Sequence, residues 1–89
     1  MKIVAVCGVG TGTSVLLKMS AEKALKQLGI DAAVSASSVD DALLQRDTQI
    51  YLTTANIADQ MRGTPAEVIV VDQVLDVAEV TEKLSKALL

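Results

Sequence analysis

The chain contains no histidine, no tryptophan and no phenylalanine; it has one cysteine, one proline and one aromatic residue, Tyr51. Each scarcity removes a class of chemistry. Without histidine there is no imidazole nucleophile or general base, and most zinc sites lose a usual ligand. A lone cysteine cannot close a disulfide within the chain. A single ring gives little for bases to stack on. The charge balance excludes more. Eight Lys and Arg stand against eleven Asp and Glu, a net charge of -3, which is not the basic footprint of a nucleic-acid binder. The cations are scattered, so no polybasic membrane patch forms; Lys18, Lys23 and Lys26 read as the solvated face of one helix. No apolar run approaches the ~20 residues of a membrane span. The apolar start, 1–6, is far too short for a secretory h-region, and glycine-rich sequence follows it. A cytoplasmic protein is expected, with no nucleic-acid partner, metal or cofactor. Its chemistry must come from Cys, Ser, Thr, Asp, Glu, Lys or backbone amides.

What is present is a chain of 89 residues, 51% hydrophobic, whose core must be built from Val, Ile, Leu, Ala and Met. Residues 1–89 read as a single domain, small enough to bury only roughly 60% of its unfolded surface. Lys2 to Val6 is a short, largely β-branched run ending in Cys-Gly and reads as a buried strand. From Leu16 to Leu28 the spacing is helical: Leu17, Ala21, Ala24, Leu25 and Leu28 share one face, while Lys18, Glu22 and Lys26 face outward. Gly29 supplies the stop. Ile30 to Ser35 reads as a second strand. Ser38 to Asp41 resembles a capping box opening a short helix to about Arg46. A third strand spans Gln49 to Thr53. Asn56 is the expected cap of a helix through Met61, stopped by Gly63 and Pro65. Glu67 to Asp72 is a Val/Ile run expected to be buried on both faces. Asp76 and Glu79 cap a last helix whose inner face is Val77, Val80, Leu84 and Leu88. The order β-α-β-α-β-α-β-α predicts a three-layer α/β/α sandwich around a four-stranded parallel sheet, Rossmann-like, in strand order 2-1-3-4. Ligands of such sheets bind beyond the carboxyl ends of the strands.

Cys7 stands at that edge, directly after the first strand. It opens the segment Cys7-Gly8-Val9-Gly10-Thr11-Gly12-Thr13-Ser14. Alternating glycines allow successive amides to turn inward as an anion-binding nest, and the following helix points its N-terminus at the same spot. Thr11, Thr13 and Ser14 add hydroxyls. A helix N-terminus also lowers a thiol pKa and so favours the nucleophilic thiolate. Cys7 is therefore the candidate catalytic residue, with 8–14 as the candidate phosphate-binding loop. A nucleotide-binding P-loop would need a lysine in this turn. A dinucleotide fingerprint would need glycine in place of Thr13 and an acidic residue after the second strand. A buried structural cysteine is the plain alternative, but a tight strand-to-helix turn needs one glycine rather than three.

This Cys-Gly-x-Gly-x-Gly-Thr-Ser turn, ending the first strand of an acidic chain of this length, resembles the enzyme IIB components of the bacterial sugar phosphotransferase system (PTS). It looks closest to the lactose/ascorbate/galactitol grouping. Two segments look most like the ascorbate type: the cysteine loop leading into Leu16-Leu17-Lys18-Met19, and Thr53-Thr54-Ala55-Asn56-Ile57-Ala58. The resemblance implies a phosphotransferase. Cys7 would accept a phosphoryl group from a phosphohistidine of enzyme IIA and pass it to a sugar, of L-ascorbate or galactitol type, held by membrane component IIC. The amides of Gly8, Val9, Gly10, Thr11, Gly12, Thr13 and Ser14 would hold the phosphate. The protein would work in the cytoplasm, associated peripherally with IIC. Val9, Leu16, Lys18 and the Thr54-Ala55-Asn56 turn are candidates for meeting the donor.

A second likeness is to low-molecular-weight tyrosine phosphatases and related arsenate reductases, which use Cys-x5-Arg-Ser/Thr. Ser14 matches the last position, but Thr13 stands where the arginine belongs. That arginine clamps two phosphoryl oxygens, so its absence favours transfer over hydrolysis. A phosphatase would also need a general acid. Asp72 is the best-placed candidate, and a turn or cap residue is its plainer reading.

Overall fold

The computed structural model describes residues 1–6, 10–45, 47–73 and 75–88, with backbone alone for 10–13. Eight elements alternate: β1 (Lys2–Val6), α1 (Gly10–Leu28), β2 (Ala33–Ser37), α2 (Val39–Leu43), β3 (Ile50–Thr53), α3 (Ala55–Met61), β4 (Glu67–Val70) and α4 (Val77–Leu88). The strands form one sheet in the order β2-β1-β3-β4, every pairing parallel. This is the three-layer α/β architecture and strand order that the pattern predicts.

Strand alternation divides the core into two layers. Ile3, Ala5, Ile50, Leu52, Ile69 and Val71 face α1 and α4, meeting Leu17, Ala21, Leu25, Val80 and Leu84. Val4, Val6 and Tyr51 face the other way, onto Ala42 of α2 and Ile57 and Met61 of α3. β1 is central and its residues Ile3 to Val6 are fully buried. Tyr51, the one ring, is buried and donates its hydroxyl proton toward the carbonyls of Ala42 (2.9 Å) and Gln45 (3.3 Å), which holds the end of α2 against β3.

Four features differ from the sequence expectation, each for a local reason. α1 begins at Gly10 rather than Leu16. Its first turns, carrying glycines and hydroxyls, have no apolar periodicity to reveal them. β2 begins at Ala33 rather than Ile30. Gly29 takes φ 71°, and two bonds close the helix behind it: Gly29 N–H to the Lys26 carbonyl and Ile30 N–H to the Leu25 carbonyl. Ile30 is thus spent on a Schellman cap, and the chain enters the sheet only when Ala33 N–H reaches the Met1 carbonyl. Thr54, not Asn56, is the cap residue of α3, without a side-chain capping bond; its hydroxyl donates to the Asn56 side-chain oxygen instead. β4 is an edge strand, so Val68 and Val70 are half-exposed rather than buried on both faces. The caps of α2 and α4 form as expected. Ser38 accepts from Asp41 N–H at 3.3 Å, and Asp76 accepts from Glu79 N–H at 3.2 Å. α2 stops at Leu43, and its expected end at Arg46 lies outside the described residues.

Glu79 also fixes the turn between β4 and α4. Its carboxylate accepts from the N–H groups of Gln73 (2.9 Å) and Asp72 (3.1 Å) and pairs with Lys83 at 2.9 Å. Lys83 in turn donates to the Val70 carbonyl. The Gln73 amide, then Lys83, holds the Glu79 carboxyl down at about 2, against 4.5 ordinarily. A carboxylate with a lowered folded-state pKa contributes stability that is complete above the unfolded value and is lost as pH falls through the folded one. Wild-type stability in urea should therefore decline as pH drops from about 4.5 toward 2, and Glu79→Gln should flatten that decline. At neutral pH the variant should lose about 1–2 kcal/mol, because the pair is partly solvated and the full shift overstates its worth.

Candidate functional site

All four strands run the same way, so their carboxyl ends form one edge: Val6, Ser37, Thr53 and Val70. The N-termini of the helices open at that same edge. Val6 is the last residue of β1 and Gly10 the first of α1. Cys7, Gly8 and Val9, predicted as the nucleophile and the start of the phosphate loop, lie outside the described residues. Gly10, Thr11, Gly12 and Thr13 form the opening turn of α1. The first N–H groups of a helix have no partner within it and carry the positive end of its dipole. Such a helix start favours an anion immediately ahead of it. Ser14 lies one residue further in and is 3% exposed.

Beyond this turn, α1 presents an unusual outer face. Val15, Leu16 and Met19 are exposed at 45%, 39% and 47%, and their spacing places them together on the helix surface. Lys18 lies beside them, paired with Glu22 at 3.6 Å. Thr54 to Asn56 opens α3 at the same edge of the sheet, with Ala55 and Asn56 exposed. Asp72 is exposed in the turn after β4, its N–H held by Glu79. Leu75 is exposed in that same turn.

Two features escaped the sequence reading. Thr53 ends β3 fully buried, and its hydroxyl finds no partner among the described residues. A threonine ending an apolar strand gives no warning of this, since strands accept threonine freely. The other is a cavity of about 300 Å³ lined by Leu43, Thr48, Tyr51, Gly63, Thr64, Pro65 and Ala66. These residues end α2 and α3 or precede β3 and β4, so the cavity opens at the amino ends of the strands. It is remote from the cysteine edge. Among the described residues, no three His, Cys, Asp or Glu side chains gather as a metal site, and no helix is long and apolar enough to cross a membrane.

An open parallel sheet with a glycine-rich strand-to-helix turn at its carboxyl edge defines a class of α/β proteins that handle anions at that edge. Within that class, the chain belongs to the family of PTS lactose/cellobiose-specific IIB subunits, whose model matches residues 2–86. It is 31% identical over 90 aligned positions to the ascorbate-specific PTS EIIB component of Mycoplasma pneumoniae, covering 99% of this chain and 95% of that one. Its fold is similar to the lactose-specific IIB component domain from Streptococcus pneumoniae, with a TM-score of 0.65, 12% identity and coverage of 99% and 94%. It is also similar to a YwlE mutant from Bacillus subtilis, with a TM-score of 0.55, 13% identity and coverage of 97% and 90%. At such identities these two structures show the fold alone. The chain is thus a IIB phosphotransferase component of a sugar phosphotransferase system, a place that implies IIA and IIC partners.

If the amino-edge cavity serves only the packing of α2, Tyr51→Phe should cost stability without touching the chemistry. The expected loss is about 1 kcal/mol, the worth of one hydrogen bond, because the Ala42 carbonyl keeps the Gln45 N–H and the Gln45 carbonyl keeps the Thr48 N–H and hydroxyl. Phosphorylation at the opposite edge should proceed at the wild-type rate, measured beside a urea melt.

Proposed function

We propose that Cys7 is the phosphoryl carrier, taking the group from a phosphohistidine of IIA and giving it to a sugar bound by IIC. The observation that carries this reading is position. The chain's one cysteine follows β1 directly, and the helix whose unpaired amides favour an anion begins three residues later, at Gly10. In the first step the thiolate sulfur attacks phosphorus. The S–P bond forms as the P–N bond breaks, and the donor imidazole leaves with the bonding pair. In the second step a sugar hydroxyl oxygen attacks phosphorus and the S–P pair returns to sulfur. The hydroxyl proton passes to a base or water at the acceptor.

The amides of Gly8, Val9, Gly10, Thr11 and Gly12 hold the phosphoryl oxygens, and the hydroxyls of Thr11 and Thr13 add donors. Ser14, being buried, braces the turn from within. Preorganised donors of this kind stabilise the charge spread over the oxygens in transfer. With threonine at position 13, the loop lacks the bidentate cation that would hold a free phosphate ester for hydrolysis. L-ascorbate is the favoured sugar, supported by the printed specificity of the Mycoplasma pneumoniae relative. The reaction takes place in the cytoplasm, where the protein visits the membrane through IIC.

Cys7→Ser should abolish phosphoryl acceptance from a phosphorylated IIA while the circular dichroism and melting temperature stay at wild-type values. Acceptance by the serine variant under the same conditions would remove Cys7 from the role. The exposed Val15, Leu16 and Met19 form the face on which the donor protein seats. Leu16→Glu should slow transfer from IIA roughly tenfold by burying a charge at the contact. The pH profile of Cys7 alkylation by a small reagent should not change. Unaltered transfer would place the donor elsewhere.

A further inference from the structure

The cavity at the amino ends of the strands takes no part in the transfer proposed above. It holds about 300 Å³ between the end of α2 and the turn from α3 to β4. Leu43, the Tyr51 ring, Pro65 and Ala66 give it apolar walls, and Thr48 and Thr64 bring hydroxyls. Tyr51 and Thr48 are buried, so the floor of the cavity belongs to the core, while Leu43 is 40% exposed and stands at the mouth.

Gly63 lines the same cavity, and neither common reason for a glycine applies to it. Its φ is not positive, unlike that of Gly29, and a Cβ placed on it would meet nothing within 4 Å. A glycine costs chain entropy relative to alanine, and here no left-handed turn or close approach offsets that cost. What the missing side chain does provide is open space at the cavity.

The polar groups in the cavity narrow the chemistry of a guest. Each hydroxyl spends its proton inside the protein: Tyr51 on the Ala42 carbonyl (2.9 Å), Thr48 on that of Gln45 (2.8 Å) and Thr64 on that of Met61 (2.9 Å). Each oxygen keeps lone pairs, so these hydroxyls are left as acceptors. No charged side chain stands among the described lining residues. An ion entering would give up its hydration without a partner. A cavity of about 150 Å³ holds benzene, and roughly 300 Å³ is the lower end of the range for ligand sites. One ring with its substituents fits.

We infer that this cavity binds a small, uncharged, single-ring hydroxyl compound. The ring lies against Tyr51 and Leu43, and the guest's O–H donates to the oxygen of Thr48 or Thr64. The site stands at the edge opposite the cysteine and does not rest on the assignment of Cys7.

Phenol is the probe, added to the full chain while backbone amide resonances are followed by NMR. Anisole keeps the ring without the O–H, and benzoate adds a charge. Phenol should shift the amides of Tyr51, Gly63, Thr64 and Ala66 saturably, with a Kd of about 1 mM for so small a ligand. Anisole should bind roughly tenfold more weakly, having no proton to donate. Benzoate should leave these amides unmoved. Gly63→Leu, which fills the open space, should weaken phenol at least about tenfold at an unchanged melting temperature. Phenol shifts that do not saturate, or that scatter over the surface, overturn the inference. So does anisole or benzoate binding as tightly as phenol, or undiminished phenol binding by Gly63→Leu. The comparison of the three ligands on the wild-type chain decides the matter even where the variant does not fold.

Discussion

The structure depends on the burial of β1. Ile3 and Ala5 face one core layer, Val4 and Val6 the other, and the strand is hydrogen-bonded on both sides, to β2 and to β3. A strand enclosed on four sides cannot shift register without exposing both cores. Whatever follows Val6 is therefore delivered to one place at the carboxyl edge. The helix that follows is held as firmly, through Leu17, Ala21, Ala24 and Leu25. A loop strung between two such anchors can use glycines freely, because its ends need no help from its own contacts.

The surrounding edge is built by the same economy of small residues. With one aromatic ring in the chain, the layers lie close together and alanine serves at the helix contacts, as at Ala21, Ala24, Ala42 and Ala58. The turn after β4 is held by charge instead. Glu79 binds the amides of Asp72 and Gln73, and Lys83 binds Glu79 and the Val70 carbonyl. The carboxyl edge thus combines a packed helix start, a clamped turn and an apolar outer face on α1. An arginine in the loop would make it a trap for phosphate esters. With threonine there, the proposed phosphothiol at Cys7 would be suited to passing its group on.

The alternation of strands and helices was legible because Val/Ile runs and the Leu/Ala periodicity of α1 are strong, local signals. So were Gly29 as a stop and Ser38 and Asp76 as caps. The start of α1 was not, since Gly10 to Ser14 carry no apolar spacing. β2 was misplaced because Ile30 looks like a strand residue but completes the cap with Leu25. The Val/Ile run of β4 mimics a central strand, and only the sheet order puts it at the edge. At the candidate site, residue types single out the cysteine loop, of which Cys7, Gly8 and Val9 lie outside the described residues. The Thr53 hydroxyl, unpartnered among the described residues, was silent, because its burial depends on packing across the sheet that no local pattern encodes.

The most direct test of the account is the intact mass of the wild-type protein after incubation with phosphoenolpyruvate, the general phosphotransferase components and a cognate IIA, followed by mapping of the modified residue. The account predicts the gain of one phosphoryl group, borne by Cys7 and lost on addition of IIC with its sugar. A protein that stays unmodified with every IIA offered, or that carries the group on another residue, would contradict it.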